Sequence, residues 1–565
     1  NKTTPCNKGR GKYSNKCGCE IVWKSFAFTS TGMGDSCSPS LLLLCLGRAA
    51  EIFSPGKDVI SAKTRYLIQT KSYFDDIIIC TDLLDERNKM VEKVTHVMQK
   101  ANFDLHAWIH TGDPTILPKS TNANKPPNLE VKGAAYTFCP ECGSSEADKL
   151  FMKILGHFCC LKCDKLIYSF SVNLSKKRRN LYMGDPLHYG EDVEAYVKKH
   201  SPLTKRSLSV VAGSTWDNSN FLLPIAMCTR YMFRRICAFS DKPLDWDDAI
   251  GEQNTDLVIS TLKNMQSAHG ITYDRCYVPK NGFITNEHSP LLAITSDGSS
   301  EGICTTLYAC FELPDDDERK IAGTQWYHVA LVKSSARLSP LSGLSIPAAE
   351  LSAIHLATKV KELLITELDG AITFSKIVYL SDSTSAISQV GARHNLFSPW
   401  YLARLRDIQG KASFSQFFKV DGLKNPSDYP SKLPKQGLGK MLRSKLWMYG
   451  EFMQDKFSKW PITTVERPKD ISHLDGVHAK YRNFGSHNFD QLTVVPFGAN
   501  SPTNDGCRHV EVELFDDFSP FDLDQILDAS LFNLKVTGRL QHGKTRSANK
   551  SQLKKLKILP NFLSQ

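Results

Sequence analysis

Along the chain the apolar positions change period in a regular way, most clearly between residues 291 and 435. Residues 291–296 form a short apolar run stopped by Asp297 and Gly298, which predicts a strand delivering Asp297 into a turn. Further strand-like runs occupy 305–311 and 327–333. Ile346-Pro347 then opens a helical pattern, with the proline in its first turn, and Glu350, Ala353, Ala357 and Val360 fall on one stripe. The stripe faces a sheet, where an acid without a partner would be costly, so Glu350 calls for a cation. Another strand, 377–382, ends in Asp382 and leads into a helix; a last strand, 414–420, leads to Asn425-Pro-Ser-Asp428, with Asp428 near a helix start. This alternation predicts an α/β domain with a mixed five-stranded sheet over 291–435.

Upstream, the pattern is more varied. Leu84, Met90, Val94, Val97, Met98 and Ala101 recur at helical steps. Before them, Tyr73-Phe-Asp75-Asp76 precedes an apolar β run, so the two aspartates are expected at the turn of a hairpin. Adjacent carboxylates there are tolerated when solvated or when a divalent cation neutralises them. The prolines at 114, 118, 126 and 127 mark a loop, and a Cys-rich stretch follows. Residues 436–480 are rich in Trp, Met and Pro; the tail from 481 is weakly patterned and ends in a basic stretch.

At 565 residues the chain is too long for one core. It is expected to be multidomain, mixing α/β and α+β parts: 1–115, a Cys-rich insert at 116–200, a connection at 201–290, the α/β domain at 291–435, a linker at 436–480 and a tail at 481–565. The formal charge of +11 fits a polyanionic partner. No apolar run approaches the length of a membrane span. There are 17 cysteines in a chain too long for a disulfide-stapled mini-domain, and several sit in CxxC spacing, which points to a reducing compartment and to metal. Cys139-Pro-Glu-Cys142 and Cys160-Leu-Lys-Cys163 are separated by 17 residues, 143–159. Four thiolates so spaced can give a closed, structural tetrahedral zinc site. Cys159 stands as an alternative to Cys160. The basic run 176–179 could touch phosphate or stay solvated.

Several of these segments resemble a known family. Tyr73-x-Asp75-Asp76 is similar to the polymerase signature of reverse transcriptases, and the small-residue stretch from Phe26 to Ser38-Pro39 is similar to their template-gripping motif. Leu203-Thr-Lys-Arg206 and Leu244-Asp-Trp-Asp-Asp248 resemble the segment that joins palm to RNase H in Bel/Pao-type long-terminal-repeat retrotransposons. Pro347-x-x-Glu350-Leu, the Asp382-Ser strand end and Asn425-Pro-x-Asp428 resemble their RNase H motifs. The resemblance implies a piece of the Pol polyprotein: part of a reverse transcriptase palm at 1–115, a zinc-knuckle insert, a connection and an RNase H-like domain, stopping before integrase. The opening Asn1 fits a processed chain or a fragment. Ala107 stands where the family usually has Lys.

The implied activity is hydrolysis of the RNA strand of RNA–DNA hybrids, with two Mg2+ or Mn2+ ions held by Asp297, Glu350, Asp382 and Asp428. Asp75 and Asp76 would hold metal for RNA-directed DNA polymerisation, and Ser38, Pro39 and Tyr73 would touch template-primer. A third palm carboxylate is missing upstream, so no primer extension is expected from this chain alone. The implied partners are nucleic acid and the other Pol regions, with no membrane, in the cytoplasm within a virus-like particle or in the nucleus. A decayed or domesticated copy that only binds nucleic acid is a second reading. An aspartic peptidase, the label carried by the family's connection region, ranks last, because no Asp-Thr-Gly or Asp-Ser-Gly occurs.

Overall fold

The structure is a computed structural model that describes residues 38–468 apart from short internal stretches, the longest being 109–118, 121–137 and 280–288. The chain divides into two compact units, 1–110 with 115–128, and 111–114 with 129–565.

In the first unit, α1 (Ser38–Phe53), α2 (Val59–Thr70) and α3 (Leu84–Lys100) pack around Leu46, Ala50, Ile68, Val94, Val97 and Met98. Asp58 caps α2 by accepting from the Ser61 amide at 2.9 Å. Between α2 and α3 lies the expected hairpin, β1 (Ser72–Tyr73) against β2 (Asp76–Ile77). Tyr73 pairs with Asp76, so Asp76 opens the return strand instead of sitting in the turn.

The second unit is built mainly on two sheets, beside two-stranded ladders that pair 171–172 with 187–188 and 177–178 with 181–182 among the described residues. In the smaller, β3 (Phe151–Ile154), β4 (His157–Cys160) and β5 (Lys165–Ile167) form an antiparallel ribbon. The connection follows with α4 (Lys205–Gly213), α5 (Leu223–Ala238) and α6 (Thr255–Ser267), and its strand β6 (Thr272–Asp274) completes the small sheet beside β5. The larger sheet contains β7 (Leu291–Gly298), β8 (Gly302–Glu312) and β9 (Tyr327–Leu338), then, after α7 (Ile346–Leu368), β10 (Lys376–Ser381). Helices α8 (Thr384–Gly391) and α9 (Pro399–Lys411), strand β11 (Phe417–Val420), the short α10 (Asp428–Ser431) and β12 (Ile462–Thr464) complete it.

The order is β9-β8-β7-β10-β11-β12, with β7–β10 and β10–β11 parallel and the other pairs antiparallel. This is the mixed sheet of an RNase H-like domain, with six strands where five were expected. The sixth, β12, comes from the segment read as a linker and pairs antiparallel with β11. The expected strand 414–420 begins later, because Ser413 and Gln416 form a capping box that holds Phe414–Gln416 in a 3-10 turn.

Strand β7 is buried along its whole length, and its alternation explains why. Leu292 and Ile294 enter a core with α7, α8 and α9. Leu291 and Ala293 enter a second core on the opposite face, with α5, α6 and residues 438–460, including Trp447 and Trp460. Trp447 donates its indole N–H to the Phe221 carbonyl at 3.0 Å, and Tyr308 donates to the Trp447 carbonyl at 2.8 Å, so the polar ends of both buried rings are satisfied. The connection and the Trp-rich segment thus cover one whole face of the sheet.

Candidate functional site

Strands β7 and β10 run parallel with Ser296 opposite Ser381, so Asp297 and Asp382 emerge one residue later, side by side at the same sheet end. Asp428 is the first residue of α10. The turn before it is pinned onto β7. Asn425 donates its side-chain amide to the Ser296 carbonyl at 3.0 Å, and the hydroxyls of Ser427 and Thr295 lie 2.7 Å apart. Oxygens of Asp297, Asp382 and Asp428 all lie within 4.8 Å of one another.

Glu350 is not in that group. It sits near the start of α7, and the Ser383 hydroxyl, which also caps α8 by accepting from the Ala386 amide at 3.1 Å, donates to its carboxylate. The expected set of four is therefore three aspartates with the glutamate held on a neighbouring hydroxyl. Helix α7 can approach this closely because position 298 is glycine: a Cβ there would lie 2.3 Å from the Ala349 carbonyl.

Asp297 is 5% exposed, and burial pushes its carboxyl up to about 6. A hydrogen bond from Ser431 opposes that rise, and the charge of Asp382 adds to it. Burial likewise raises Asp382, with the charges of Asp428 and Glu350 contributing, and burial raises Glu350 against its bond from Ser383. These are acids packed more closely than their charges favour, which a divalent cation would relieve.

The parts played by Ser431, Ser299, Tyr231 and Lys432 were not foreseen from sequence. Ser431 donates to Asp297 and is itself fully buried. Its carbonyl accepts from Ser299 at 2.5 Å and from Tyr231 of α5 at 2.9 Å. Lys432 bonds Asp428 and stands 4.0 Å from Asp297. Burial alone would lower its ammonium, but the bond to Asp428 and the charges of Asp297 and Asp382 hold it above its ordinary value. The i,i+4 spacing of Asp428 and Lys432 was a usable signal; nothing in sequence pairs Tyr231 with Ser431.

The thiols form a second cluster. Sγ atoms of Cys139, Cys142, Cys160 and Cys163 lie within 4.8 Å of one another, with Cys139 and Cys163 at 3.4 Å and Cys142 and Cys160 at 3.5 Å. Tetrahedral zinc thiolates need sulfurs about 3.8 Å apart, so this set fits. Each knuckle is followed by a residue in the left-handed region, Gly143 at φ 70° and Asp164 at φ 57°, which turns the chain so that both thiols face inward. Arg275 grips Asp164 through two bonds of 2.7 Å. Burial would raise the Cys142 thiol, but hydrogen bonds from Ser144 and the neighbouring thiols bring it down to about 7; burial raises Cys160 and Cys163. Cys159, the alternative third ligand, is outside the cluster, and burial pushes its thiol up to about 12.

Of the polymerase-type positions, Asp75 lies outside the described residues, and so do the side chains of Ser38, Pro39, Tyr73 and Asp76. The motif before Ser38, the side chains of the basic run 176–179 and the tail from 469 also lie outside them. Among the described residues no helix is long and apolar enough to cross a membrane.

No curated protein matches the chain. Among solved structures, the N-terminal RNase H domain of Rv2228c from Mycobacterium tuberculosis, fused to maltose-binding protein, is similar at 16% identity and a TM-score of 0.17, covering 27% of this chain and 96% of that one. A foamy viral protease–reverse transcriptase in complex with double-stranded DNA is similar at 11% identity and a TM-score of 0.30, covering 68% of this chain and 49% of that one. Residues 204–383 match the family described as the Pao retrotransposon-like RNaseH-like domain; that description names an RNase H-like fold and not a peptidase. The match runs through the connection and takes in Asp297, Glu350 and Asp382. Sheet topology and this match together identify residues 204–383 as part of an RNase H-like domain of the Pao retrotransposon type.

Proposed function

We propose that the second unit is a metal-dependent nuclease that hydrolyses the RNA strand of RNA–DNA hybrids, as part of a Bel/Pao-type Pol polyprotein. The observation that carries this reading is the grouping of Asp297, Asp382 and Asp428 at one end of an RNase H-like sheet, with Glu350 one hydroxyl away. These acids would hold Mg2+ or Mn2+, whose chemistry there is to activate water and stabilise the leaving 3′ oxygen. The protein's own part is placement. Asn425 and Ser427 pin the Asp428 turn to β7, Ser431 orients Asp297, and Ser383 holds Glu350. The thiolate cluster is proposed as a structural zinc site, since four thiolates leave no open position.

The test is incubation of the purified chain with Mg2+ and end-labelled hybrid, duplex RNA and duplex DNA. The expected result is cleavage of the RNA strand of the hybrid alone, leaving 5′-phosphate and 3′-hydroxyl ends. Cleavage of duplex DNA at a comparable rate would point to another nuclease class.

A further inference from the structure

Lys432 lies just past the end of α10, a helix of four residues. Its pair with Asp428 therefore has no helix beyond it to brace, unlike the usual i,i+4 pair. Its ammonium also stands 4.0 Å from the Asp297 carboxylate, on an oxygen that already accepts from Ser431. No other described Lys or Arg pairs with Asp297, Glu350, Asp382 or Asp428. The Lys432 side chain is 53% exposed, so its flexible stem can swing into solvent without disturbing the core.

We propose that Lys432 is a tethered cation competing for the Asp297–Asp428 side of the cluster, so that this side takes a divalent ion only as the ammonium leaves. The inference rests on the cation-binding reading given above. Four carboxylates carry four negative charges, and one resident ammonium lowers the attraction for an incoming cation most strongly where it sits. The Asp382–Glu350 side, which Lys432 does not touch and reaches only through the field of its charge, keeps more of its attraction. The two sides should then fill unequally, and Lys432 sets the difference. It is a positioning residue, acting through the occupancy of Asp428.

The test is direct binding of Mn2+ to the zinc-loaded full chain, followed by the loss of the free-ion paramagnetic resonance signal, for wild type, Lys432→Met, Lys432→Arg and Asp382→Asn. The expected result for wild type is two unequal steps. Lys432→Met should tighten the weaker step on the order of tenfold and leave the stronger one in place. Lys432→Arg should keep two unequal steps. A Lys432→Met protein that melts like wild type but binds Mn2+ with unchanged or weaker affinity overturns the proposal. If wild type and Asp382→Asn bind Mn2+ alike, the cation-binding reading of the cluster fails, and the proposal falls with it.

Discussion

The two candidate metal sites of the second unit are built in opposite ways. The thiolates come from a single stretch of 25 residues, 139–163, on two local turns, and their sulfurs face one another. The carboxylates come from β7, α7, the end of β10 and α10, with 130 residues between Asp297 and Asp428, and a lysine sits among them. The first arrangement can hold a metal with no position left for substrate; the second can hold ions loosely enough to exchange. The thiolate site needs only its own loops to be right, whereas the carboxylate site exists only when the whole sheet is assembled.

The largest effect that tests this contrast is on zinc. Cys160→Ser should abolish retention of the single equivalent expected after chelator washing, while Cys159→Ser should keep it, because Cys159 faces away from the other thiols; metal analysis reads both. Equal loss in the two variants would mean that the knuckle uses either neighbour.

The next effect is on pH. Asp297 is raised to about 6 from an ordinary 3.8, so between roughly 4 and 6 the metal-free folded state binds more protons than the unfolded one. The contribution of Asp297 to metal-free stability should therefore fall as pH rises through that window, against the opposite trend from His157 and His355, whose imidazoles burial lowers to about 4. Cation binding, which needs the ionised carboxylate, should weaken as pH falls below about 6, approaching tenfold per unit. Melting curves of wild type and Asp297→Asn, with and without Mg2+ across pH 4–8, isolate that contribution, and a metal-free wild type that gains stability relative to Asp297→Asn from pH 4 to 6 would contradict the assignment.

A smaller effect is expected from Tyr231→Phe. It removes the bond from α5 to the Ser431 carbonyl and should cost about 1 kcal/mol of stability. Cleavage should drop a few-fold, and no loss of either would show that the connection merely covers the sheet.

The contrast also governs what could be read from sequence. CxxC pairs announce themselves because their geometry is local. They left one choice open, since adjacent cysteines at 159 and 160 fit the spacing equally and only the direction of β4 separates them. The four acids were legible because each ends a strand or opens a helix, positions that periodicity marks. The parts that depend on distant packing were not legible. Trp447 and Trp460 read only as composition, yet they help to fill the second core, and Ile462–Thr464 extends the sheet by a strand. The clamp from Tyr231 to Ser431 spans 200 residues, and no local pattern specifies it.

The central claim is that the carboxylate cluster performs the cleavage, and single-turnover cleavage of a labelled RNA–DNA hybrid in Mg2+ by Asp382→Asn tests it most directly. Asp382 stands just past the end of β10 and is only partly buried, so the variant should fold and keep its zinc. Its rate should fall by at least about two orders of magnitude, since a metal ligand is lost. A folded, zinc-loaded Asp382→Asn protein that cleaves at the wild-type rate would contradict the account.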